Sequence, residues 1–137
     1  MMPALRRAHR VRWSECDMHG HVNHTAYLEW FEDLRVLHWE SLGQSFRPRS
    51  VGPVVGQLSV RYLAPLAFGE EVELCLSVPS LRRTSFVHEY VVLKDGQRVF
   101  ECSAVIVCVD NAAGGRVPIP PEARALMLER DGAQAEG

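Results

Sequence analysis

The second half of the chain, from about residue 54 onward, carries strand-type patterns, and this run constrains the fold more than any other feature of the sequence. Its clearest part is Glu71–Val78, where apolar residues alternate strictly with polar or small ones, as in a strand with one buried face. Further on, Asp95-Gly96 predicts a tight hairpin because both positions can take positive φ, which makes the last three strands antiparallel neighbours. The predicted strands are 54–62, 71–78, 85–94 and 98–109.

One long helix precedes these strands. Apolar and aromatic residues recur at three- and four-residue spacing from His24 to Leu42, with no internal glycine or proline, and Gly43 suits the left-handed position after a helix. A short strand is expected at His9–Trp13 and a short helix at Glu122–Arg130, followed by a frayed segment. These elements predict an α+β fold, in which one antiparallel sheet covers one helix within a single domain spanning 1–137.

The composition excludes several classes of function. With 23% charged residues and a net charge of −2, the chain lacks the basic character of a nucleic-acid-binding protein. No apolar run approaches the roughly 20 residues of a membrane span, and the start of the sequence lacks the apolar segment of a signal peptide. The four cysteines form no CxxC pair, so we expect reduced thiols. We therefore expect a cytoplasmic protein with no membrane or nucleic-acid partner.

The segment 16–24, CDMHGHVNH, gathers an acid, three histidines, a glycine and an asparagine immediately before the predicted helix. Asp17 with the histidines could bind zinc. Alternatively, the cluster is structural, with Asn23 capping the helix and Gly20 allowing a turn. It could also be catalytic, because Asp17 could act as nucleophile or base beside helix N–H groups that polarise a carbonyl oxygen. The residue pattern alone leaves these interpretations open. The three histidines are His19, His21 and His24.

Several further motifs follow this cluster in a fixed order and extend over most of the chain. They are Arg12 to His24, Tyr27-Leu28, Phe31 to Arg35, Val60-Arg61-Tyr62 with Pro65, Gly69 to Val72, Leu81 to Ser85, Asp95-Gly96 and Arg116 to Pro120. Taken together, they resemble the signature of hotdog-fold acyl-CoA thioesterases of the 4-hydroxybenzoyl-CoA thioesterase type. The number and order of the matches make this resemblance far more specific than any one motif.

The resemblance implies a hotdog fold, in which a curved antiparallel sheet of about five strands wraps a long helix. It implies hydrolysis of acyl-CoA thioesters to free acid and CoA with no cofactor and no metal, in a homodimer or homotetramer whose active sites lie between subunits. The family's catalytic aspartate falls on Asp17, as nucleophile or general base. The backbone N–H that polarises the thioester carbonyl falls on or near His24, and Gly20 is the glycine that lets the loop approach the substrate.

Four further residues are candidates for substrate binding. His21 would line the acyl pocket or orient water, and Tyr27 stands on a helix face whose residues are otherwise expected in the core. The resemblance places Arg82 and Arg83 near the pantetheine channel, where arginines would bind the CoA phosphates. The loop Arg47-Pro48-Arg49 offers other basic groups for the same purpose.

Other functions remain open at this point. Glu29 and Glu32 would replace Asp17 if the helix supplied the catalytic carboxylate, as in another thioesterase branch. A hotdog-fold 3-hydroxyacyl dehydratase would use a histidine and an acid on a β-hydroxyl group. A binding module for acyl-CoA or an acyl-carrier protein would keep the fold without chemistry.

Overall fold

The computed structural model describes residues 3–47 and 50–137. The two helices are α1, His24–Ser41, and α2, Pro121–Glu129. No helix within residues 3–47 or 50–137 combines the length and the hydropathy that a membrane span requires. The strands are β1 Leu5–Arg10, β2 Val51–Tyr62, β3 Glu71–Ser77, β4 Ser80–Leu81, β5 Ser85–Lys94, β6 Gln97–Asp110 and β7 Gln134–Ala135.

The five long strands form one antiparallel sheet in the order β1-β3-β5-β6-β2. The predicted hairpin between β5 and β6 is confirmed, because Asp95 and Gly96 have φ of 51° and 79°. The short strand β4 pairs with β5, and β7 runs parallel to β4. Within the described residues, β1 and β2 each have one long neighbour and therefore form the two edges of the sheet.

Helix α1 packs against the sheet through its aromatic side chains. Phe31 stacks on Tyr90 and Phe100 with ring centroids 4.3 and 5.6 Å apart, and Tyr27 stacks on Phe100 at 4.4 Å. At the other end of the helix, Trp39 is buried and its ring lies parallel to a phenylalanine of β5. The predicted α+β architecture, one helix covered by one antiparallel sheet, is therefore confirmed.

Two predictions about the ends of the chain are wrong. The first strand is not His9–Trp13 but Leu5–Arg10, because the chain leaves the sheet after Arg10 and forms a 3₁₀ turn at Trp13–Glu15. The segment 131–137 is not wholly frayed, since β7 pairs with β4 and Asp131 is buried. The burial of Asp131 depends on a partner that is far away in the sequence, and local patterns do not reveal such a partner.

The partner of Asp131 is His38, and both belong to a buried series of four hydrogen-bonded polar side chains between α1 and the sheet. Asp131 Oδ2 lies 2.8 Å from His38 Nε2, His38 Nδ1 lies 3.0 Å from His88 Nε2, and His88 Nδ1 lies 2.9 Å from the hydroxyl of Tyr90. The carboxylate can only accept, so with neutral rings every N–H and O–H in the series donates toward Asp131. All four side chains are thus satisfied in one orientation.

We expect His88 to make the protein less stable as the pH falls below about 6.5. Burial, with a smaller contribution from the nearby charge of Arg35, holds the pKa of His88 well below the ordinary value of 6.5, so the unfolded chain gains a proton there before the folded chain does. The contribution of His88 to the free energy of unfolding is complete above pH 6.5 and is lost below it, approaching a slope of about 1.4 kcal/mol per pH unit.

The measurement is urea unfolding between about pH 7.5 and 5, above the range in which carboxylates titrate. His88→Gln should reduce the slope. Equal slopes in wild type and His88→Gln would contradict this assignment.

Candidate active site

Asp17 lies at the start of a tight turn that precedes α1. The turn is closed by backbone hydrogen bonds from Asp17 N to His21 O (2.8 Å) and from Gly20 N to Asp17 O (3.0 Å). The carboxylate of Asp17 folds back on the same turn, where Oδ1 accepts from the backbone N–H groups of His19 (2.9 Å) and His21 (3.3 Å). In the described part of the chain, Oδ2 accepts no hydrogen bond and is open to solvent.

These hydrogen bonds keep Asp17 ionised. The N–H of His19, helped by that of His21, holds the pKa of the carboxyl below its usual value of 3.8. The side chain is therefore an anion throughout the neutral range, with one oxygen fixed by the turn and the other free to react.

The first turn of α1 follows directly on this loop. Asn23 is the N-cap, as predicted, and its side-chain oxygen accepts from Thr25 N at 3.3 Å. The preceding amides are also used, since Val22 N donates to Leu66 O and Asn23 N donates to Glu15 O. Among the described residues, the backbone N–H of His24 has no acceptor, so it is the donor at this helix end that remains available.

Loss of the cap should weaken this helix end. We expect Asn23→Ala to lower the free energy of unfolding by about 1 kcal/mol, because Thr25 N loses its acceptor. Chemical denaturation measures this effect, and Asn23→Ser should recover most of it because serine also caps helices. A loss from Asn23→Ser as large as that from Asn23→Ala would contradict a capping role.

The structure places the other residues of the loop around this turn. Gly20 has a φ of +76°, and a Cβ there would meet no atom within 4 Å, so the backbone angle rather than crowding within the chain favours glycine. His19, His21 and His24 are exposed. In residues 3–47 and 50–137, no three His, Cys, Asp or Glu side chains are grouped so as to hold a metal ion.

Tyr27 lies beneath the loop, in the core. Its side chain is only 3% exposed, and burial raises its pKa to about 12. Contact of Tyr27 with a substrate therefore remains a prediction. Next to it, at the end of β2, the hydroxyl of Tyr62 donates to the backbone oxygen of His24 at 3.1 Å and joins the sheet edge to the first turn of α1.

The structure does not bring Arg82 and Arg83 to the Asp17 turn within one chain. Both are exposed between β4 and β5, where Ser85 pairs with Val107, which in turn pairs with Val54 of β2. Tyr62, which marks the Asp17 end, is eight residues further along β2, or about 26 Å at the usual strand rise. The two candidate groups thus lie toward opposite ends of the sheet.

The remaining candidates lie outside the Asp17 turn. Glu29 and Glu32 are exposed on α1, downstream of its first turn. Arg47 is exposed in the loop after α1. The rest of that candidate basic loop, Pro48-Arg49, lies outside the described residues.

The sequence interpretation missed Glu15, which lies just before the turn and whose carboxylate is hydrogen-bonded on both oxygens. Its Oε2 accepts from the indole N–H of Trp30 at 2.6 Å, while Oε1 accepts from Arg12 N at 2.8 Å and lies 2.9 Å from His9 Nε2. Burial raises the pKa of Glu15, but these hydrogen bonds outweigh it and leave the pKa below 4.5. Local patterns could not reveal this role, because it needs partners on both β1 and α1.

Comparisons with known proteins agree with this architecture. The Thioesterase-like superfamily profile matches residues 11–127. Over 121 residues the chain is 28% identical to the acyl-CoA thioester hydrolase YbgC of Escherichia coli O157:H7, covering 85% of each protein. It is 25% identical over 108 residues to the long-chain acyl-CoA thioesterase FadM of Escherichia coli strain K12, covering 74% of this chain and 80% of FadM.

A solved structure of a thioesterase superfamily protein from Jannaschia sp. CCS1 is similar throughout. It is 37% identical in sequence, with a TM-score of 0.87, and the match covers 96% of this chain and 85% of that one. The resemblance indicated by the ordered motifs is therefore confirmed. By the extent of the profile match and by its fold, the chain belongs to the thioesterase-like superfamily and is a thioester hydrolase of the hotdog type.

Proposed function

We propose that the protein hydrolyses acyl-CoA thioesters, with Asp17 as the reacting carboxylate and the backbone N–H of His24 as the donor to the thioester carbonyl. The observation that carries this proposal joins two groups. The carboxylate of Asp17 is ionised and has one oxygen without a hydrogen bond, and among the described residues the backbone N–H of His24 at the adjoining helix end has no acceptor. The acyl-CoA substrate is suggested by the relatives named as acyl-CoA thioester hydrolases.

The chemistry follows from the charges on the two groups. Negative charge develops on the carbonyl oxygen as its carbon becomes tetrahedral, and the His24 N–H at the positive end of α1 would stabilise it. Asp17 Oδ2 either adds to the carbonyl carbon or takes a proton from an attacking water. In either route the C–S bond breaks, CoA leaves as its thiol, and water supplies the hydroxyl group of the free acid.

The nucleotide end of the substrate calls for cationic groups, and we assign this role to Arg82 and Arg83 of a second copy. Strand β2 is an open edge with exposed apolar side chains at Val54, Leu58 and Tyr62, and such an edge favours pairing with another strand. A twofold axis across β2 would make the two β2 strands antiparallel. The Val54 end of one copy, with its arginines, would then lie beside the Tyr62 end of the other, next to Asp17.

Mixing two variants, each altered at one half of the proposed site, tests whether the site is shared between subunits. One chain carries Asp17→Asn and the other carries Arg82→Ala with Arg83→Ala, and the two are refolded together at equal concentration. In a shared site the mixed dimer has one intact site and one site with both defects, so we expect roughly a quarter of wild-type activity for random pairing. If every site were built from a single chain, the mixture would show no recovery above its parents, and the shared site would be refuted.

A substrate panel tests the reaction itself. Short, aromatic and long acyl-CoA esters are each incubated with the enzyme, and the released thiol is detected. We expect thiol release that saturates with at least one ester. Removal of water from a 3-hydroxyacyl-CoA without thiol release would instead indicate a dehydratase, and ligand-dependent stabilisation without turnover would indicate a binding module.

A further inference from the structure

Glu15 connects three parts of the chain that meet at the Asp17 turn. Its carboxylate bonds Trp30 of α1 and His9 of β1, at 2.6 and 2.9 Å. Its backbone oxygen accepts from Asn23 N at 2.7 Å, so the same residue also bonds the helix cap. Glu15, two residues before Asp17 in the chain, is thus bonded both to the cap and to the body of α1.

The partners of Glu15 are themselves held in place. Trp30 is only 5% exposed, and its ring lies 4.5 Å from the ring of His9 and 5.0 Å from that of Tyr27. A hydrogen bond to a side chain this confined fixes the position of its acceptor. The backbone of Glu15 cannot shift without breaking the bond to Trp30 or to Asn23.

We propose that Glu15 is a positioning residue, which sets the place of the Asp17 carboxylate relative to the free N–H of His24. This inference rests on the proposed function, because it assigns to Glu15 an effect on the reaction that Asp17 performs. Misplacement of a reacting group by about 1 Å can cost 10²-fold in rate, so a modest shift of the turn would be visible in kcat.

The role requires a carboxylate and not merely a polar side chain. Two oxygens are needed, because Oε2 accepts from the indole N–H while Oε1 accepts from Arg12 N. Glutamine has one acceptor oxygen, so its NH₂ group would face either the indole N–H or the N–H of Arg12, donor against donor. Glu15→Gln therefore keeps the side-chain volume but loses one of these two hydrogen bonds.

The test is a double-mutant cycle with Asp17. Glu15→Gln is measured alone and in the Asp17→Asn background by kcat, KM and thermal unfolding, with Glu40→Gln at the exposed far end of α1 as the matched control. In the wild-type background we expect Glu15→Gln to lower kcat at least ~10-fold with KM changed by less than about 2-fold. In the Asp17→Asn background we expect no further loss of residual turnover, while the change in unfolding temperature persists.

A purely structural role would lower turnover by the same factor in both backgrounds, and that result would overturn the proposal. Should Glu15→Gln fail to fold, Trp30→Phe removes the donor and keeps an aromatic ring at the position, and the same cycle applies to it. Failure of the proposed function is seen separately, because Asp17→Asn alone would then leave turnover unchanged whatever Glu15→Gln does.

Discussion

Asp17→Asn is expected to lower kcat for acyl-CoA hydrolysis by at least ~10²-fold, the scale typical of a positioned acid or base. The amide can still accept from the N–H groups of His19 and His21 through its oxygen, so the turn should keep its shape. What is lost is the negative charge on Oδ2, which both chemical routes require. Thiol release under saturating substrate measures the effect, and KM should change little because the defect lies in the reacting step.

Asp110 provides a matched control within the same chain. Its Oδ1 also accepts from two backbone N–H groups, those of Ala113 (3.1 Å) and Ala112 (2.8 Å), which likewise hold the pKa of the carboxyl below its usual value. Asp110→Asn therefore makes the same chemical change in the same kind of turn, away from α1. We expect it to leave kcat within about 2-fold of wild type. Equal kcat values for the two variants would remove Asp17 from the mechanism.

Asp131→Ala is expected to lower the free energy of unfolding by about 3 kcal/mol, because it removes the ionised acceptor of a fully buried hydrogen bond. Both side chains of the Asp131–His38 pair are only 1% exposed. Without the carboxylate, the N–H of His38 loses its acceptor inside the core, and the chain of donors from Tyr90 through His88 has no end point.

Urea unfolding at fixed protein concentration measures this loss, since association would otherwise alter the apparent stability. The control is Glu129→Ala at the exposed end of α2, which should lie within about 0.5 kcal/mol of wild type. If Asp131→Ala lowered the free energy of unfolding no more than Glu129→Ala does, the buried pair would contribute no stability.

Local patterns were sufficient to predict the main elements. The spacing of apolar residues predicted α1 to within one residue, and the alternation around Glu71–Val78 together with Asp95-Gly96 predicted three neighbouring strands. The cap at Asn23 was also foreseeable, because a capping side chain bonds an amide only two residues away.

Features that depend on distant partners were not predictable in this way. Asp131 and His38 are 93 positions apart, and nothing in the polar segment around Asp131 indicates that it contacts a buried histidine. Glu15 and Trp30 are 15 positions apart and lie in different elements, so a pattern of local periodicity treats them as unrelated. The resemblance to the family supplied Asp17, but the geometry that holds its turn in place required the structure.

The two edges of the sheet differ in a way that limits how far copies can assemble through it. The edge at β1 is short and exposes the charged side chains of Arg6, Arg7 and Arg10, whereas β2 is longer and exposes apolar ones. Pairing through β2 would consume the open edge of both copies and leave only arginine-bearing edges facing outward, where like charges repel a further strand. Assembly through the sheet edges would then end after a single step, and the same pairing would protect the protein from forming fibres.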